Sequence, residues 1–140
     1  YAIPIGKGDI KRQGTDVTVV ATLTMVGRAL AAARVLEREG VSVEVVDPRT
    51  LRPLDEDISL NSVAKNNRLL IAHEAWKNGG FGAEVAALVV EKGFDDLDAP
   101  IVRVGGLDVP MPYHDALERE VIPSQERLTK AIRELVQNGV

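Results

Sequence analysis

The side chains with the most chemical capacity sit in one stretch, residues 68–93. Arg68-Leu69-Leu70-Ile71-Ala72 leads into His73-Glu74-Ala75-Trp76-Lys77-Asn78, then Gly79-Gly80-Phe81-Gly82. His73-Glu74 spells the first two letters of a zinc-protease helix. Position 77 is Lys, however, and the pair ends an apolar strand run, so the three or four ligands zinc needs are missing. The other histidine, His114, follows a proline-rich loop without an activating partner in sequence. It reads as a surface or interface residue rather than a general base. Residues 79–82, at a helix start, could offer free N–H groups to a phosphate or carboxylate. The dinucleotide fingerprint needs other offsets on the first strand-to-helix turn, where residues 23–27 hold one glycine. The plainer reading of 79–82 is a tight turn against a neighbouring chain. Ser59, Ser62 and Ser124 lie in no nucleophile elbow. Glu74 has no second carboxylate placed beside it, so an orienting hydrogen-bond role outranks catalysis. Asp95, Asp96 and Asp98 are either a solvated loop or one side of an electrostatic docking patch. Trp76, the sole tryptophan, is either an interface anchor or a core residue. No catalytic constellation emerges.

These residues need strands and helices to hold them. The run 69–72 has the signature of a strand buried on both faces. Beyond the glycines, Val85, Ala86 and Val89 recur at helical spacing, and Gly93 stands where the helix stops. Upstream, Val17 to Leu23 is a strand rich in Val and Thr, and Thr24 is placed to cap a helix. Val26, Ala29, Leu30, Ala33 and Leu36 give that helix an apolar stripe, ended by Gly40. Val41, Val43 and Val45 alternate with Ser42 and Glu44 as a second strand, joined by a right-handed crossover. The loop 47–55 is stiffened by Pro48 and Pro53. Asp55, Glu56 and Asp57 then favour a short helix start, with Ile58 and Val63 inward and Asn66-Asn67 as its end. Ile101 to Val104 is a further strand, followed by the loop 105–113. A turn of helix is expected near Leu117. Ser124 caps a last helix striped by Leu128, Ala131, Ile132, Leu135 and Val136 and ended by Asn138-Gly139. Residues 1–16, with three glycines, form a lead-in carrying at most an edge strand or hairpin arm; 17–140 form the domain proper. Alternating strands and helices define the α/β class, a mostly parallel sheet with helices on both faces.

The totals narrow the options. A chain of 140 residues without cysteine has neither disulfides nor thiolate sites, and it fits a reducing compartment such as the cytoplasm. A net charge of -4 argues against a nucleic-acid surface. No apolar run approaches a membrane span. The start at Tyr1 with Ile3-Pro4-Ile5 reads as a piece of a longer polypeptide.

Four ordered segments then carry a resemblance. They are Ile3-Pro4-Ile5-Gly6-Lys7-Gly8-Asp9-Ile10, Val46-Asp47-Pro48-Arg49-Thr50-Leu51-Arg52-Pro53-Leu54-Asp55, Phe94-Asp95-Asp96-Leu97-Asp98-Ala99-Pro100, and Asp108-Val109-Pro110-Met111-Pro112-Tyr113. Together they resemble the C-terminal domain of the β subunit of 2-oxo acid dehydrogenase E1 components, of the transketolase C-terminal type. Pyruvate, branched-chain (2-oxoisovalerate) and acetoin dehydrogenases belong to that group. The resemblance implies a three-layer α/β/α domain with a five-stranded mixed sheet and one antiparallel edge strand. It implies a parent heterotetramer of two α and two β subunits that uses thiamine diphosphate and magnesium, decarboxylates a 2-oxo acid and acylates the lipoyl arm of E2. The activating glutamate and the metal motif belong to other domains, so this fragment alone is expected to be inactive and to bind no cofactor. It is expected instead to assemble with the α subunit and a second β subunit through Glu74, Trp76, Gly80, Gly82, Asp108, Pro110 and Tyr113. Asp95, Asp96 and Asp98, with the C-terminal end, would dock the E2 peripheral-subunit-binding domain. The implied compartment is the cytoplasm, or the mitochondrial matrix in a eukaryote. Other readings stay open: a stand-alone nucleotide or anion module resting on residues 79–82, or the same domain of a transketolase or deoxyxylulose-phosphate synthase.

Overall fold

A computed structural model describes residues 2–111 and 113–138. Pro112 of the fourth segment and Gly139 as a helix end lie outside the described residues.

The elements run β1 (Asp9–Arg12), β2 (Val17–Ala21), α1 (Thr24–Glu37), β3 (Val43–Asp47), α2 (Glu56–Asn66), β4 (Leu69–Trp76), α3 (Phe81–Gly93), β5 (Val102–Gly106), α4 (Asp115–Val121) and α5 (Gln125–Asn138). A 3₁₀ turn, Phe94–Asp96, sits in the acidic loop. The five strands form one sheet in the order β1-β3-β2-β4-β5. β1 is antiparallel to β3, with a register break between Ile10 and Arg12, and the other pairs are parallel. The expected mixed sheet with an antiparallel edge is therefore present.

Helices cover both faces, which is why the parallel strands read as apolar runs. On one face Val17, Val19, Val43, Leu70 and Val104 pack with Ala29, Leu36, Leu128 and Ile132 of α1 and α5. On the other, Val20, Val46, Leu69 and Ile71 meet Val63, Val85 and Val89 of α2 and α3. The guanidinium of Arg133 on α5 bonds both oxygens of Glu39, just past α1, at 2.8 Å.

One polar chain threads this apolar frame. Asn66 Nδ2 donates to Thr18 Oγ1 at 3.0 Å, and Thr18 and Ser62 hydroxyls lie 2.6 Å apart. Ser62 Oγ donates to Glu44 Oε2 at 2.5 Å, while Oε1 accepts from Gly14 N–H at 3.2 Å and from the Lys65 ammonium. Glu44 is fully buried. Burial works to raise its pKa; the Lys65 and Ser62 bonds, the Gly14 N–H and the Lys65 charge outweigh it and hold the carboxyl below its ordinary value.

Two local expectations change. β2 ends at Ala21 rather than Leu23. Thr24 is the first helical residue, not the cap. The cap position is Leu23, at φ 52°, and no side chain bonds there. Instead the Thr22 carbonyl accepts from Met25 N–H at 3.0 Å. α2 and α5 begin as expected: Asp55 accepts from Ile58 N–H at 3.3 Å, and Ser124 Oγ accepts from Arg127 N–H at 3.1 Å.

Candidate functional site

Strand order decides where to look. From β2 the chain moves to β3 on one side, then crosses to β4 on the other. The switch point lies between the carboxyl ends of β2 and β4, where open α/β sheets hold their ligands. Leu23 follows β2 there, and Glu74 and Trp76 end β4.

The end of β4 is built around His73. Its ring is buried, and Nδ1 lies 2.9 Å from the Ala75 carbonyl. A carbonyl only accepts, so Nδ1 carries a hydrogen, and in the neutral ring Nε2 is then the bare nitrogen. Among the described residues Nε2 has no hydrogen-bond partner. Burial first lowers the His73 pKa; the Ala75 bond opposes this, and the Arg103 charge adds to the lowering. The ring nests among glycines. A Cβ on Gly82 would stand 2.4 Å from Nε2, and one on Gly105 would stand 2.9 Å from Cε1. A Cβ on Gly80 would meet the Trp76 carbonyl at 1.9 Å. The glycines of 79–82 thus serve close approach within this chain, with Gly79 supplying a φ of 72°. Gly82 is buried by its own fold, and Gly80 is half-buried.

Beyond this frame several large apolar side chains stand exposed at the strand ends and the loops that follow them. Leu23 is 82% exposed, Trp76 51% and Tyr113 104%. Leu107, Val109, Met111 and Leu117 are exposed beside them in chain order after β5. The Trp76 indole N–H donates to the Val109 carbonyl at 2.9 Å, which ties the β4 and β5 loops together. Asp108 and Pro110 are exposed on the same loop. His114 caps α4, its Nδ1 accepting from Ala116 N–H at 3.2 Å. Of the expected residues, Glu74 and Trp76 therefore stand at the end of β4, and Asp108, Pro110 and Tyr113 on the loop that follows β5. Sequence reading passed over Leu23, Leu107, Val109, Met111 and Leu117. An apolar residue in a loop beside a proline was the available signal for Val109 and Met111.

A second surface lies off the β5 edge. There Val90, Phe94, Leu97, Ala99 and Ile101 line an apolar groove of about 700 Å³, with Asp98 and Arg103 also in its wall. Asp95 and Asp98 are exposed and Asp96 half-buried. Asn67 pins the turn: its Nδ2 donates to the Asp96 carbonyl, and its own carbonyl accepts from Asp98 N–H, each at 2.8 Å.

Residues 6–128 match the family model for the transketolase C-terminal domain. The chain belongs to that family. Over its full length it is 46% identical to a mitochondrial pyruvate dehydrogenase E1 component subunit beta of Pisum sativum, covering 39% of that protein. It is 45% identical, over 97% of its length, to the beta subunit of acetoin:2,6-dichlorophenolindophenol oxidoreductase of Bacillus subtilis, covering 40% of it. Among solved structures, a split-gene transketolase described as an inactive beta4 tetramer superposes with a TM-score of 0.85 at 29% identity, over all of this chain and 44% of that one. The resemblance to E1 β subunits read from the sequence is borne out. The chain spans about two fifths of the length of these curated relatives.

The donor set does not suit thiamine diphosphate or magnesium. A diphosphate is held by N–H groups and cations. The recess beside residues 79–80 presents the Glu74 carboxylate instead, and neither Lys nor Arg lines it. Among the described residues no three His, Asp or Glu side chains converge as a metal would require. No described helix is long and apolar enough to cross a membrane.

Proposed function

We propose that this domain is the assembly and E2-docking part of a 2-oxo acid dehydrogenase E1 β subunit. Its parent would use thiamine diphosphate and magnesium bound elsewhere, decarboxylate a 2-oxo acid and acylate the E2 lipoyl group. The observation that carries the reading is the strand-end face: apolar side chains stand in solvent at the place where an α/β enzyme would hold its ligand. Large exposed apolar patches on a folded chain are characteristic of protein contacts, and a stable contact buries roughly 1,200–2,000 Å² in total. Glu74, Trp76, Asp108, Pro110 and Tyr113 would lie in the contact with the α subunit and a second β subunit, while Gly80 and Gly82 shape the turn beneath it. The chain alone would turn over no 2-oxo acid. Its compartment would be the cytoplasm, or the mitochondrial matrix if the source is eukaryotic.

Asp98 lines the apolar groove of the second surface, Asp95 and Asp96 precede it in the same loop, and the three would meet basic residues of the E2 peripheral-subunit-binding domain. Rim charges act mainly on association rate and salt dependence. Titration of this domain with an E2 binding domain at low and high salt tests this. Binding that weakens with salt, and weakens further in Asp98→Asn, supports docking; no binding at low salt removes docking and leaves assembly standing. An equilibrium screen with nucleotides tests the rival anion-module reading, which requires tight unaided binding. The Glu74 carboxylate beside the glycine turn favours assembly over that rival.

A further inference from the structure

Within the strand-end face is a recess of about 360 Å³, lined by Glu74, Trp76, Asn78, Gly80 and Met111 among others. Glu74 is half-buried there and makes no ion pair or side-chain hydrogen bond among the described residues. This contrasts with the molecule's buried carboxylate, Glu44, which is saturated with donors. A partly desolvated carboxylate without a partner costs free energy in the free chain and is relieved by a cation. The second wall is the indole of Trp76. Its ring is held by the Val109 carbonyl through Nε1, which leaves a π-face of fixed orientation. Trp offers the strongest aromatic face for a cation.

We propose that this recess receives the guanidinium of an arginine side chain carried by the protein that covers the strand-end face. The choice of arginine over lysine follows from shape and hydration. A guanidinium is planar, stacks on an indole, bonds a carboxylate through two N–H groups at once, and sheds water more readily than an ammonium. The occupant is a side chain of a protein because exposed apolar residues adjoin the recess, Met111 in its wall and Val109 on the carbonyl that holds the indole, and need a large partner to cover them. The inference rests on the assembly reading and adds to it one contact, in which removal of either partner leaves the other's charge unpaired.

Trp76 is the only tryptophan, so its indole N–H is a unique NMR reporter. The probe is N-acetyl-arginine methylamide, with the neutral citrulline analogue as control, followed by ¹H–¹⁵N spectra of the whole chain. The expected result is saturable movement of the Trp76 indole and the Asn78, Gly79 and Gly80 amides, with a Kd on the order of 10 mM. The citrulline probe should bind at least about fivefold more weakly, and Glu74→Gln should abolish the arginine response, because the charge pair is gone. Glu74→Gln should not lower the melting temperature, since it removes a charge that has no partner in the free chain. No saturable shift up to about 100 mM, a range that covers contacts far weaker than one ion pair with stacking, would overturn the proposal. So would an equal response to citrulline or in Glu74→Gln. If assembly variants dissociate the parent enzyme while this titration is flat, the arginine contact falls and the assembly reading survives.

Discussion

His73 and Gly82 form a pair in which each residue sets the other's identity. Gly82→Ala pushes a methyl against the His73 ring, at 2.4 Å from Nε2. Overpacking of this kind costs about 1–3 kcal/mol, and the denaturation midpoint should fall accordingly. His73→Ala in the same chain opens the space, so the double variant should recover at least about 1 kcal/mol of the summed loss. Strict additivity would mean the two do not touch. His73 also predicts a pH effect. Its folded-state pKa is lowered, chiefly by burial, so the neutral ring stabilises the fold above the unfolded value of about 6.5. That contribution fades as pH falls through the folded value. Urea unfolding between about pH 7 and 5 should show stability dropping with acid, with a flatter slope in His73→Gln, which has no ring to titrate. An identical slope in both would remove His73 as the source. The glycines at 80, 82 and 105 were visible in the sequence as turn residues, but their cause was not. They yield to a ring and a carbonyl brought close by folding, and in the case of Gly105 the ring lies 32 positions away in the chain.

At the scale of elements, what was legible was what is local. The stripe of Leu128, Ile132 and Leu135 and the Ser124 cap define α5 by periodicity and one short-range bond. Ser124→Ala should cost about 1 kcal/mol, read as a lower melting temperature with an unchanged fold. The start of α1 was not legible. Thr24 has the right chemistry for a cap, but the chain leaves β2 two residues early, and Leu23 takes a positive φ that no propensity favours in a leucine. Glu44 was likewise read only as the polar half of an alternating strand. Both faces of β3 are covered, and α2 brings Lys65 and Ser62 to the carboxylate from a distance that alternation cannot show. The network therefore clamps α2 to the sheet. Lys65→Met should destabilise by somewhat less than the roughly 3–5 kcal/mol of a fully buried broken pair, because Lys65 is itself half exposed. Glu44→Gln with Lys65→Met should recover part of that loss by removing the unpaired charge. The lowered Glu44 pKa means the clamp acts above the ordinary carboxylate value and is lost as pH falls through the folded one.

For the whole molecule, topology places exposed apolar side chains, Leu23 and Trp76, at the switch point of the sheet. The four segments that resembled E1 β subunits include the loop that builds this surface, and for that reason the family was readable where the individual contacts were not. Leu23 and Leu107 escaped notice because exposure is a property of the folded surface, and an isolated leucine in a loop carries no sign of it. The central claim is that this face exists to be covered by other subunits. Its most direct test is sedimentation of the proposed parent E1, reconstituted from α subunits and β subunits carrying this domain, as wild type and with Leu23→Glu and Tyr113→Glu. The account predicts that the variants separate into smaller species while the β subunit's melting temperature holds. A variant complex with the full mass and undiminished stability to dilution would contradict it.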